Sequence, residues 1–395
     1  MELQINRVVL ERELSLLAGV VAKKDTIPAL TGILFEADDN KVVLTGTDLD
    51  TTLRTEIDAE VVTPGKVLFR AKQFTEIVKS LDGETVSFAP IPFDERIQVS
   101  CGPSSFKVPI LGEGFPRLPD AATDPVGTVQ SKTLASMIGR VIFTVPGVAI
   151  LTALPGAALC FEDGAVRLEA TDGTRLARVR AEGEGAADAP VTLNVPRRAL
   201  EALLGLTSGS DPAIITVSQN ANQMLFSFGR RLFTATRLAG QLPAYDVIFS
   251  KLVNLPNIAA LDVKRFVASI RRVSLMTRES EEGINLTFSG LGPELRFNAS
   301  NGLLGDADES MPISYQGEDM EVRVNATFLT DFLGAVGVET VTAGMINPKA
   351  PSLWTARTDT MEYRYVLTPI LRNGPAPEPE KPKSKRGKKG DEENA

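Results

Sequence analysis

Three segments of this chain repeat one order of residue types: an apolar strand, a small residue, then Thr or Ser with Asp or Asn close behind. They are LTGTDLD at 44–50, LEATDGT at 168–174 and FNASNGL at 297–303. Anchored on Asp48, Asp172 and Asn301, the steps are 124 (48 to 172) and 129 (172 to 301) residues. A second triplet runs from a strand through a polar cap into an amphipathic helix: KVLFRAKQFTEIVKSL (66–81), TLNVPRRALEALLGL (192–206) and EVRVNATFLTDFLGAV (321–336). Its anchors Arg70, Pro196 and Asn325 lie 126 (70 to 196) and 129 (196 to 325) residues apart. A third pattern pairs IQVSCGPSSFKVPILGEGFPRL (97–118) with QMLFSFGRRLFTATRLAGQLPAY (223–245), placing Phe106 and Phe233 127 residues apart. Three unrelated markers agreeing in the same order predict three domains of one fold, at 1–120, 127–245 and 246–372, with a tail at 373–395.

Within a copy, stretches such as GILFEADDNKVVLTGTDLDTTLRTEI alternate apolar and polar residues between turn residues, the pattern of antiparallel strands and hairpins. Each copy also carries two amphipathic helices, expected at 8–23 and 71–81, at 131–145 and 197–207, and at 262–277 and 326–336. Two helices with about eight short strands make an α+β layer design, helices covering one face of antiparallel sheet and leaving sheet edges free to pair with neighbours. The tail NGPAPEPEKPKSKRGKKGDEENA is too rich in Pro, Lys and Glu to bury a core of its own.

The chain has no histidine, which removes Ser-His-Asp and Cys-His nucleophiles, His bases and His-containing zinc sites. Cys101 and Cys160, its two cysteines, form no CxxC pair and read as buried structural residues in a reducing compartment. No run of about 18 apolar residues occurs and the N-terminus is a charged amphipathic pattern, so a cytoplasmic protein is expected. No P-loop or GxGxxG motif follows a strand, and no cofactor is expected. An alternative enzyme reading would use Asp48 and Asp172 as paired carboxylates, although TDL and TDG differ from the loops that such chemistry uses. A second alternative is a triplicated scaffold that binds only proteins.

The tail holds six of the 42 Lys and Arg and five of the 50 Asp and Glu, so the body carries −9. Against that acidic background four of the six expected helices are net basic. The helix at 262–278 carries Lys264, Arg265, Arg271, Arg272 and Arg278 against Asp262; that at 131–145 carries Lys132 and Arg140 and no acid. Arg197 and Arg198 open a third, Lys72 and Lys79 lie on a fourth, and Lys23 and Lys24 end the first. One such helix is an ordinary solvated face; if the repeat gathers all six on one surface, their charge adds into a stripe suited to phosphates. Lys24, Arg197, Arg198, Lys264, Arg265, Arg271 and Arg272 are the candidate phosphate contacts. No zinc finger, recognition helix or RNP-like aromatic motif is present, and aromatics make up 6% of the chain, so the contact would be to backbone and independent of sequence.

TIPALTGILFEADDNKVVLTGTDLDTTLRTEI (26–57), KVLFRAKQFTEIVKSL (66–81), GAALCFEDGAVRLEATDGTRLA (156–177), VPRRALEALL (195–204) and YRYVLTPI (363–370) together resemble the bacterial sliding clamp family, the β subunit of DNA polymerase III. The resemblance extends to about residue 372. It implies a non-catalytic processivity factor: a head-to-tail homodimeric ring of pseudo-sixfold symmetry, with twelve helices around duplex DNA and the sheets outside. It also implies partners that bind through short peptides, namely the polymerase III alpha subunit, the clamp loader, other polymerases and repair proteins. Their groove, between the second and third domains, would comprise Leu154, Thr171, Gly173, Thr174, Arg175, Leu176, Pro243, Val247, Ile248, Val366, Thr368, Pro369 and Ile370, an apolar trough with an arginine at its rim. The dimer contact would use Phe106 on one side and Leu275 with Met276 on the other. Thr174 stands where the family usually has His, LPAYDV (242–247) replaces an FPDYRR-like segment, TPILR (368–372) replaces an MPMRL-like one, and the tail lies beyond the family's usual end.

Overall fold

A computed structural model describes residues 1–24, 26–112, 114–117, 123–151, 153–162, 164–182, 190–207, 213–240, 242–277, 283–290 and 292–371. The tail and Arg278 lie outside the described residues. The helices are α1 (Arg7–Leu17), α2 (Ala71–Ser80), α3 (Ser131–Val141), α4 (Arg197–Thr207), α5 (Tyr245–Phe249), α6 (Val263–Val273) and α7 (Ala326–Ala335). Asn6, Asp262 and Asn325 start α1, α6 and α7 by accepting the backbone N–H of Val9, Arg265 and Phe328, which satisfies a donor that a helix start leaves open. Helical spacing sets the buried face: Leu10, Glu13, Leu14 and Leu17 on α1, and Phe266, Ser269, Ile270 and Val273 on α6. The helices pack in pairs, α1 on α2, α3 on α4, α6 on α7.

The expected helix at 8–23 is corrected at its end. The N–H groups of Gly19 and Val20 bond the carbonyls of Leu16 and Leu17, tightening the last turn three residues back, and the chain leaves the helix there. Lys23 and Lys24 therefore sit in the loop beyond it. The helices expected to 145 and 277 each end in a short 3-10 turn, Ile142–Thr144 after α3 and Ser274–Met276 after α6.

The strands form four antiparallel sheets, two of which run across copy boundaries. In the eight-stranded sheet, Arg231–Thr236 of copy 2 pairs with Thr51–Asp58 of copy 1, Phe233 opposite Leu53 and Arg231 opposite Thr55. In the nine-stranded sheet, Met361–Leu367 of copy 3 pairs with Arg175–Glu182 of copy 2, Tyr365 opposite Ala177 and Tyr363 opposite Val179. The remaining two sheets end on Ser104–Pro109 in copy 1 and Gly305–Pro312 in copy 3. One continuous core lies between helices and sheets, with Phe35, Phe69, Phe161, Phe233, Phe266 and Trp354 fully buried.

Behind the first cross-copy joint, Glu13 is 2% exposed. It accepts from Arg231 Nε (2.8 Å) across the boundary and from Thr55 Oγ1 (3.0 Å) and Arg12 Nε (3.0 Å). Burial pushes its carboxyl up, but the Arg231, Thr55 and Arg12 bonds outweigh burial and hold it below its ordinary value. A carboxyl whose folded pKa is lowered stabilises the fold above its unfolded pKa, about 4.3, and that contribution disappears as pH falls through the lower folded value. Glu13→Gln should therefore unfold at lower urea than wild type at pH 7, a loss of about 1–3 kcal/mol, and the gap between the two should close as pH falls below about 4.

Candidate functional site

Side chains alternate along the nine-stranded sheet. Ala177, Val179 and Ala181 join the core under the helices, so Leu176, Arg178 and Arg180 face outward from the same strand. On its neighbour Tyr363, Tyr365 and Leu367 point in, and Glu362, Arg364 and Val366 point out. Across the apolar half of this outer face runs the segment joining copies 2 and 3. There Tyr245, Phe249 and Leu252 close with Ala158, Cys160, Leu176 and Val366 into a second small core, flanked by Leu242, Ile248, Leu255 and Leu353. The five-residue α5 that carries Tyr245 and Phe249 is too short to leave a helical period in the sequence. Burial pushes the Cys160 thiol and the Tyr245 hydroxyl up, keeping both neutral under this cover.

The trough candidates divide around that core. Leu176 and Val366 form its floor, 3% and 4% exposed, and Ile248 packs at its side. Leu154 lies beside Gly240, where an added Cβ would come within 2.9 Å of Leu154 Cδ1. Val247 and Thr368 are exposed, Pro243 and Ile370 half-buried, and Pro369 buried. The rim is tied by the turn at Thr171–Arg175. The Asp172 carboxylate accepts from the N–H groups of Thr174 and Arg175, and Thr171 Oγ1 accepts from Gly173 N–H and donates to the Arg175 carbonyl. Gly173 takes φ +86°, the left-handed conformation that suits glycine. Thr368 N–H closes the rim on the Thr174 carbonyl at 3.1 Å. Asp48 builds the matching turn in copy 1, bonding the N–H groups of Asp50 and Thr51. Both aspartates are thus bound into turns of different sheets, which leaves the paired-carboxylate reading without a geometry.

The arginine expected at the rim is corrected by strand parity. Arg175 is one residue before Leu176 and faces the helix layer, where it is 9% exposed. Its Nε donates to Asp172 (2.8 Å), Nη1 to Asp331 of α7 (2.7 Å) and Nη2 to the Phe143 carbonyl (2.8 Å), with the guanidinium 4.0 Å over the Phe328 ring. It joins copies 2 and 3 from behind the trough. The outward arginines are Arg178 and Arg180, which sequence reasoning missed; their signal is the two-residue spacing in RLARVR.

The seven basic candidates also divide. Lys24, Lys264, Arg265 and Arg271 are exposed and carry no ion pair among the described residues. Arg197 is engaged with Glu201 (2.8 Å) and with the Ile142 and Val145 carbonyls, Arg198 with Asp48, and Arg272 with Glu309 (2.8 Å). Glu309 also accepts from Ser269 Oγ at 2.6 Å, so the edge strand Gly305–Pro312 is tied to α6 within its own copy. Near that edge Leu275 is 72% exposed and Met276 half-buried; on the other edge Phe106 is 36% exposed. Among the described residues no cluster of His, Cys, Asp and Glu could hold a metal, and no helix is long and apolar enough to cross a membrane.

Models of the DNA polymerase III beta subunit match in sequence order: its N-terminal domain at residues 1–119, its central domain at 128–244 and its C-terminal domain at 254–370. The chain belongs to the DNA polymerase III beta subunit family. The beta sliding clamp of Pseudomonas aeruginosa is 26% identical over 94% of this chain and 100% of its own length, and that of Caulobacter vibrioides 28% over 94% and 100%. The crystal structure of the DNA polymerase III subunit beta from Pseudomonas aeruginosa superposes with a TM-score of 0.85 at 25% identity, covering 94% of this chain and all of that one. The function is that of a sliding clamp in DNA replication, an accessory of DNA polymerase with no catalytic centre of its own. Arg175→Ala removes the bonds to Asp172, Asp331 and the Phe143 carbonyl at the joint between copies 2 and 3. Water reaches the 34%-exposed Asp331 carboxylate, so the loss of stability in chemical denaturation should be about 1–3 kcal/mol, whatever partner is present.

Proposed function

We propose that two copies close head to tail into a ring of six similar domains, 1–120, 127–245 and 246–372 of each, around duplex DNA in the cytoplasm. The observation that carries this reading is the register of the two joints already made within the chain. Thr51–Asp58, Arg175–Glu182 and Gly305–Pro312 are eight-residue strands at the same place in each copy, and the third residue of the first two, Leu53 and Ala177, faces an aromatic ring, Phe233 or Tyr365. The third residue of the last is Ala307, and Phe106 holds the position of Phe233 in Ser104–Pro109. The same register sets Phe106 of one subunit opposite Ala307 of the next, and Lys107 opposite Asp306. Phe143, in the 3-10 turn after α3, packs on Tyr365 at 6.1 Å, and Leu275 is the matching residue after α6. Leu275 and Met276 then cover Phe106, and the same head-to-tail contact made twice closes the ring.

DNA in the hole meets Lys24, Lys264, Arg265 and Arg271, which are free to reach phosphates, with Arg197, Arg198 and Arg272 held back by their own carboxylates and carbonyls. The trough takes short extended peptides from the polymerase III alpha subunit, the clamp loader, other polymerases and repair proteins, their apolar anchors against the accessible Leu154, Val247 and Ile370, with Leu176 and Val366 as the buried floor that holds these in place. One or two anchors at roughly 1.5–3 kcal/mol each suffice for micromolar binding once backbone bonds set the direction.

The deciding experiment loads the protein on nicked circular DNA with a clamp loader, raises the salt, and then cuts the circle. Retention on the circle and release on linearisation is expected; release from both alike refutes encirclement and favours the protein-only scaffold. Leu275→Ala with Met276→Ala should give a folded monomer by light scattering at low micromolar concentration. Replacing Lys264, Arg265 and Arg271 by Ala should lower the salt slope of DNA binding by about 0.9 for each phosphate that is no longer neutralised, equally for all sequences.

A further inference from the structure

Beyond Phe249 the outer face of the nine-stranded sheet changes character. A depression of about 130 Å³ is lined there by Arg167, Arg178, Arg180, Arg364 and Glu362. Arg167 stands directly opposite Arg180, and Arg178 directly opposite Arg364. Like charges facing each other across a sheet are unfavourable, and carboxylates offset them here: Glu162 and Glu169 on Arg167, Glu169 and Asp246 on Arg178, Glu182 on Arg180, Glu362 on Arg364. A second, wider depression lies at the joint between copies 1 and 2; Val43, Arg54, Glu56 and Leu232 stand at the matching outward positions, and Arg230 and Arg231 also line it. The fold supplies a concavity at both joints, with three arginines at the first and, beside the trough, four that face one another in pairs across the strands.

We propose that this arginine cluster is an anion subsite that takes the acidic side chain of a partner peptide whose apolar anchors already sit in the trough. The proposal deepens the trough reading and rests on it. The chain itself displays the chemistry the subsite accepts. Asp246, on α5 between Tyr245 and the rim residue Val247, places Oδ1 2.6 Å from Arg178 Nη2 and 3.7 Å from Arg167 Nη1 while its side chain stays 73% exposed. Arg178 already holds the Glu169 and Asp246 carboxylates through Nη2; it is 9% exposed with its guanidinium 4.1 Å over the Phe249 ring, so it fixes where a carboxylate sits at this end of the cluster. Arg180 and Arg364 are the more accessible members, with side chains 34% and 40% exposed. Leu176, Arg178 and Arg180 share one face of one strand, so the cluster begins about 7 Å from the trough floor and extends to about 14 Å. An extended peptide spans that distance in two to four residues.

The test uses fluorescein-labelled peptides with two leucines separated by one serine and, two to four residues to either side, Glu or Gln. At low salt a Glu peptide should bind wild type about fivefold to twentyfold more tightly than its Gln counterpart. Arg180→Gln with Arg364→Gln should erase that difference while leaving the Gln peptide's affinity unchanged, and 1 M salt should also reduce it. Equal binding of Glu and Gln peptides at every spacing overturns the subsite while leaving the trough standing, provided Leu176→Ala still weakens both. If Leu176→Ala weakens neither, the trough reading fails and the subsite with it.

Discussion

An antiparallel strand at a sheet edge presents unpaired N–H and C=O groups, and in this chain copies 1 and 2 resolve that by each lending an edge to the copy that follows. Two such joints make an eight-stranded and a nine-stranded sheet out of three small domains and fix how the domains sit, because a slip of one residue would turn every side chain of the joining strand to the wrong face. The trough, the arginine depression and the outward and inward roles of neighbouring residues all follow from the register of Leu176 on Val366.

That register also explains why two clusters with opposite chemistry lie side by side. The strand pair is apolar at the end where the linker crosses it and charged at the other, with Phe249 resting on Arg178 at the boundary. A short linker without a hydrophobic period of its own becomes structured because the sheet beneath offers Leu176 and Val366, and it covers these two almost completely.

The repeat, the α+β layering and the six long helices are legible in the sequence because each rests on local chemistry: a capping Asn or Asp, a 3.6-residue period, a turn residue. α5 is not, having too few residues to show a period, and α1 reads too long because Val20 and Val21 continue its apolar pattern past the turn at Gly19. Resemblance alone puts Arg175 at the rim, although the two-residue alternation of TRLARVR already assigns it to the face opposite Leu176. The contacts of Arg175 with Asp331 and of Arg178 with Phe249 join residues 156 and 71 positions apart, and nothing local announces them. Which basic residues are free is only partly legible along the chain: Glu201, four residues after Arg197 on one helix, marks one pair, whereas Arg198 and Arg272 lose their freedom to Asp48 and Glu309, brought near by the fold.

The ends of the chain differ from its interior in where a charge is satisfied. At the first joint the helix supplies the carboxylate, Glu13, the strand supplies the hydroxyl, Thr55, and the arginine arrives from the neighbouring copy as Arg231. In copy 3 the same two positions are exchanged: the helix supplies the hydroxyl, Ser269, the strand supplies the carboxylate, Glu309, and the arginine is Arg272 from the same helix. Pulling copies 1 and 2 apart would strand a buried carboxylate, whereas exposing the Gly305–Pro312 edge strands none. In the proposed ring, closure through the Gly305–Pro312 edge would leave no buried charge behind when it opens, so the placement of one arginine sets where such a ring parts first.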